Sequence, residues 1–159
     1  MEMGYATLDD IKRSSTKCLV EHGIEHFIKI ANIDFDNKQW KKLEITANIH
    51  GFGNGAGKIS ILMSNDYVSL ILIPQRSDMN ILSSGIRNIL REILEDTNDI
   101  KLVRISMVDE NLIIRADIPK FKKEDSDTNM RLLFNELIAM LEKLNNIDND
   151  LHKKYFYLL

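Results

Sequence analysis

The sequence predicts an α+β domain in two layers, one antiparallel sheet with helices mainly on one face, in the order α-β-β-β-α-β-β-α. Three observations carry that prediction. Alternating apolar and polar residues recur in short runs separated by turn residues, as antiparallel strands require. Three other stretches place apolar residues at helical spacing. The chain has 159 residues, 44% hydrophobic and 28% charged, enough for one domain with its own core.

The first helix is expected at about 8–22. Thr7 and Asp10 have the spacing of a capping box, Leu8, Ile11, Cys18 and Leu19 recur near one face, and Gly23 stands where a C′ residue belongs. The stretch "IEHFIKIANIDF" at Ile24 to Phe35 suits a strand, and the same residues could extend the helix. Gly23 before it and its β-branched content favour an extended segment. "DNKQ" at Asp36 to Gln39 reads as a turn.

Three strands follow. Leu43, Ile45, Ala47 and Ile49 alternate with polar residues; Ile59, Ile61 and Met63 do so after the glycine-rich stretch; "YVSLILI" at Tyr67 to Ile73 is apolar on both faces. A second helix is expected after Pro74 and Ser77-Asp78, with Leu82, Ile86, Ile89, Leu90, Ile93 and Leu94 on one side and Asn98 closing it. Val103–Met107 and Leu112–Ile118 make a hairpin joined at "DEN" and stopped by Pro119. A third helix is placed at about 129–144, carrying Met130, Leu133, Leu137, Leu141 and Leu144, with "NNIDND" loosening it and a tail from 145 to 159. The whole is taken as one domain, with an additional extended segment at 24–39.

Charge and composition narrow the function. The net charge is −3 and the pI near 5.8, whereas a phosphate-tracking surface shows a basic excess, so no nucleic-acid partner is expected. The longest apolar run, Leu70 to Pro74, is far short of a membrane span. The start "MEMGYATLDD" lacks the apolar segment of a signal peptide, and a cytoplasmic setting is expected. Cys18 is the single cysteine, which excludes an internal disulfide and a Cys-x-x-Cys zinc pair; on the apolar stripe it reads as a small buried hydrophobe.

"HGFGNGAGKIS" at His50 to Ser60 is the strongest imitation of an enzyme motif. A phosphate loop needs Gly-x-x-x-x-Gly-Lys-Ser/Thr between a strand and a helix. Here Phe52 occupies the first glycine position, Ile59 replaces the hydroxyl, and a strand follows. The run reads as a loop between antiparallel strands. Anion binding by Gly53, Asn54, Gly55, Gly57 and Lys58 is the alternative. "HGIEH" at His22 to His26 has the letters of an inverted zinc-peptidase motif, but it straddles the helix end at Gly23. No catalytic residue, metal ligand or cofactor is assigned, and the chain is read as non-enzymatic.

The sheet offers a different signal. If helices cover the face bearing Ile45, Ile61, Leu70 and Ile105, the opposite face carries Leu62, Tyr67, Ile71, Ile73 and Ile113. Contiguous exposed apolar residues mark partner surfaces. Covering of that face by the first helix, or by the tail with Tyr155, Phe156 and Tyr157, is the competing reading.

From about Leu43 to Leu144 the element order resembles the type III secretion chaperones and the YbjN-like proteins. The resemblance is clearest in "ILREILEDTNDIKLVRISMVDENLIIRADIPKF", and "TLDDIKRSSTKCLVEHGIEH" resembles the first helix of that group. It implies a non-catalytic homodimer that holds an extended segment of a client protein. The segment 24–39 departs from the simple pattern. The function expected is a protein-binding module; the alternative is a small-ligand or anion-binding regulatory domain using the loop 51–57.

Overall fold

The computed structural model describes residues 4–47, 57–72, 102–108 and 111–155. Helix α1 (Leu8–Glu21) is followed by strands β1 (His26–Phe35), β2 (Lys38–Ala47), β3 (Gly57–Met63) and β4 (Tyr67–Leu72). Strands β5 (Val103–Val108) and β6 (Asn111–Pro119) come next, then a single 3₁₀ turn (Lys123–Asp125) and helix α2 (Ser126–Tyr155). The fold is α+β, and the described residues build a six-stranded sheet of order β1-β2-β3-β4-β6-β5, antiparallel at every joint.

The start of α1 follows from its sequence. Thr7 N–H donates to Asp10 Oδ2 at 2.8 Å, and Asp10 N–H donates to Thr7 Oγ1 at 3.3 Å. The box satisfies two amides that the first helical turn leaves without partners. Gly23 ends the helix at φ +66, where a side chain would be strained. Thr7→Ala is expected to lower the unfolding free energy by about 1 kcal/mol, read as a shifted urea midpoint at unchanged slope; an unchanged midpoint would show that the cap contributes nothing.

Three details differ from the expectation. Four strands rather than three follow α1 up to Leu72, because the stretch after Gly23, favoured above as extended, is β1, and β2 starts at Lys38. The turn is two residues, not "DNKQ": Phe35 pairs with Lys38, and Asp36 (φ 53) and Asn37 (φ 59) are both left-handed. That geometry matches strand twist in a tight hairpin, and Asp and Asn tolerate it. The last helix begins at Ser126 and runs for 30 residues to Tyr155, through "NNIDND". That stretch holds neither glycine nor proline, so it lowers helix propensity only slightly. The second predicted helix, the residue Ile73 and most of the glycine loop lie outside the described residues.

The core forms on one face. Register aligns Leu43, Ile61, Leu70, Ala116 and Val103 across five strands, with Ile45, Ile59, Leu72, Ile114 and Ile105 in the next row; all are buried. From α1, Ile11 and Leu19 join the same hydrophobic cluster, as do Met130, Leu133, Phe134 and Leu137 from α2. The N-terminal segment is held to the β6–α2 connection, Ala6 N–H donating to Phe121 O at 2.9 Å and Lys123 N–H to Gly4 O at 2.7 Å.

Candidate functional site

The sheet's other face is the candidate site. Because strand side chains alternate, the residues between the core rows must point away from the core. Leu62 of β3 faces Ser69 of β4, and Ser69 sits two residues from both Tyr67 and Ile71. Leu62 is therefore a diagonal neighbour of each, within reach of long and aromatic side chains. Ile71 faces Arg115, which makes Ile113 the next diagonal neighbour on β6. Tyr67, Leu62, Ile71 and Ile113 thus form an apolar zigzag across three strands. Tyr67 is 50% exposed, and the other three are half-buried.

Charged groups border the zigzag on both sides. On β1 and β2, Glu44 accepts from Lys42 Nζ at 3.0 Å and from Lys29 Nζ at 3.3 Å. These lysines hold the Glu44 carboxyl below its usual range, Lys42 contributing most. On β6, Arg115 Nε donates to Asp117 Oδ2 at 2.8 Å, and Ser69 donates to Asp117 Oδ1. The Arg115 hydrogen bond keeps Asp117 low and raises Arg115. Exposed pairs of this kind contribute little stability. Their effect is to set two mixed-charge borders along an apolar strip.

The remaining sequence motifs fall elsewhere. Strand β3 begins at Gly57, which pairs with Ala47, so the glycine-rich stretch links antiparallel neighbours and Lys58 lies in a strand rather than a helix. Gly53, Asn54 and Gly55 lie outside the described residues, and Lys58 is exposed. His22 is the C-cap of α1, its Nε2 3.0 Å from Asn135 Oδ1. His26 opens β1, its Nδ1–H donating to Ile24 O at 2.9 Å. The two imidazoles are not one helical turn apart. Among the described residues no group of three or more His, Cys, Asp or Glu side chains is placed to hold a metal ion. Burial pushes the Cys18 thiol up to about 11, so it carries little thiolate at neutral pH.

One polar constellation joins the two helices. Ser14 and Ser126 are buried between α1 and α2, their hydroxyl oxygens 2.8 Å apart. Ser14 Oγ donates to Asp127 Oδ1 at 2.5 Å, and the Ser126 hydroxyl also lies 3.4 Å from Asp10 O. Lys17 Nζ reaches Asp127 Oδ2 at 2.9 Å. Ser14 and Lys17 have the spacing of a nucleophile and its lysine base, but Ser14 is 2% exposed and both partners are engaged by Asp127. The group ties the helices together. Its partners lie more than 100 residues apart in the chain, and only the polar positions 14 and 15 within an apolar stripe hint at it.

Comparison with family models, with curated proteins and with solved structures finds no match in any of the three. No described helix is long and apolar enough to cross a membrane.

Proposed function

We propose that the chain is a non-enzymatic protein-binding module of the secretion-chaperone-like or YbjN-like kind, acting as a homodimer that holds an extended segment of a partner protein. The observation that carries this reading is the zigzag of Tyr67, Leu62, Ile71 and Ile113 on the face opposite the core. Apolar side chains at successive diagonal positions suit alternate side chains of an extended peptide. The Lys42–Glu44 and Arg115–Asp117 pairs supply both signs of charge beside it, which favours orientation more than affinity.

The test is recovery of partners from the native cell by the wild-type chain and by a Leu62→Lys/Ile71→Lys double variant, with Tyr67→Asp as a milder second variant. Partner recovery is expected to fall about 100-fold or more for the double variant, since central apolar contacts at interfaces are worth about 2 kcal/mol or more each. Circular dichroism would check that both variants remain folded. Equal recovery by folded wild type and double variant would remove the zigzag as the partner surface.

A further inference from the structure

We propose that strand β1 joins two copies of this chain edge to edge, centred on Ile30, to form one continuous twelve-stranded sheet. This deepens the dimer part of the function proposed above and is separate from the client surface, which lies on other strands.

Strand β1 is ten residues long and, among the described residues, ends the sheet. Its register with β2 runs unbroken from His26↔Ala47 to Phe35↔Lys38, so it has no bulge, and it contains no proline. Lys29, the one lysine along it, is already drawn back to Glu44 at 3.3 Å. Long, regular and apolar edges are templates for strand pairing unless something blunts them. Phe27 is 66% exposed and Ile30 38% exposed on this edge.

The side-chain pattern selects the occupant. A two-fold axis perpendicular to the sheet keeps each face on its own side, so every residue must oppose a partner of the same parity. Centred on Ile30, the pairing sets Ile30 against its own copy and Phe27 against Ile33, an aromatic–β-branched pair of the kind that stabilises sheets. It also sets His26 against Asp34, a cation-capable ring facing a carboxylate at each end. Centring on Lys29 would instead oppose two lysines, and centring on Ala31 would set Ile28 against Asp34. The Ile30 register also sets Ile28 against Asn32 and Lys29 against Ala31, but among the three it alone joins Phe27 with Ile33 and His26 with Asp34 and avoids both the lysine–lysine and the Ile28–Asp34 contact. An isologous contact of this kind closes at two copies.

The prediction is a dimer of twice 18.4 kDa in sedimentation velocity over a dilution series. Ile30→Lys, which sets like charges together at the axis, is expected to weaken dimerisation about 100-fold or more with unchanged circular dichroism. Ile30→Cys is expected to give a disulfide-linked dimer on mild oxidation, because directly opposed strand residues lie within disulfide reach. Asn32→Cys would lie about 13 Å from its own copy in this register and should stay uncrosslinked. A monomeric wild type, a dimer indifferent to Ile30→Lys, or crosslinking at position 32 in place of 30 would each overturn the proposal. None of these outcomes bears on partner recovery by the Leu62→Lys/Ile71→Lys variant.

Discussion

Phe134→Ala is expected to lower the unfolding free energy by about 3–5 kcal/mol, while Leu132→Ala two positions earlier changes it by less than about 0.5 kcal/mol. Phe134 is 1% exposed and is among the largest side chains fully enclosed. It lies in the cluster that also contains Ile11 and Leu19 of α1 and the sheet's inner rows, so its removal leaves a cavity bordered by several elements at once. A densely packed interior cannot close around such a space without disturbing its neighbours. Leu132 is 50% exposed on the same helix; trimming it creates no void. Urea unfolding of both variants decides the matter: comparable losses would mean that α2 does not bury the face described above.

Ser14→Ala is expected to cost about 1–2 kcal/mol and to change how stability depends on pH. Ser14 is buried, and its hydroxyl donates to a carboxylate, a stronger bond than a neutral one. The cost falls below the upper range for such bonds because Asp127 is half exposed and can recruit water. The Ser14 hydrogen bond is also the leading reason that the Asp127 carboxyl lies below its usual value, followed by that of Lys17. Asp10 lies low as well, chiefly through the Thr7 backbone N–H. A carboxyl lowered in the folded state stabilises the fold above its unfolded pKa, and that contribution disappears as pH falls through the folded value. Wild-type stability should therefore decline as pH drops below about 4, and Ser14→Ala should decline less steeply over that window. Equal slopes for the two proteins would assign the acid sensitivity elsewhere.

Much of the architecture is legible in the residues. The Thr7–Asp10 box, the Gly23 terminator and the alternation at Leu43–Ala47, Ile59–Met63 and Leu112–Ile118 are local signals, and local geometry decides them. The stretch Ile24–Phe35 is harder because it is apolar on both parities, so no single period dominates. What makes it a strand is its partner, β2, across a turn whose left-handed residues are Asp36 and Asn37 rather than glycines. Helix α2 runs beyond 129–144 at both ends, and its C-terminal half continues through "NNIDND" because asparagine and aspartate weaken a helix without ending it. The face opposite the core could be named from parity alone, and Leu62, Tyr67, Ile71 and Ile113 do share it. The ion pairs that border them could not, since Lys42 meets Glu44, and Arg115 meets Asp117, along a single strand by rotamer choice. Nor could the Ser14–Ser126–Asp127 group, which exists only once α1 and α2 are side by side.

The strand order has a bearing on how the chain assembles. From His26 to Leu72 every strand pairs with the one just made, so four of the six described strands can form by successive short closures. Val103 to Pro119 is likewise a self-contained ribbon. Only the seam between Leu72 and Ile114 must wait for two finished pieces to meet, across the longest stretch of intervening chain in the sheet. Amide exchange that breaches this seam should precede exchange within either piece, and the protein would then open along that line like a book along its spine.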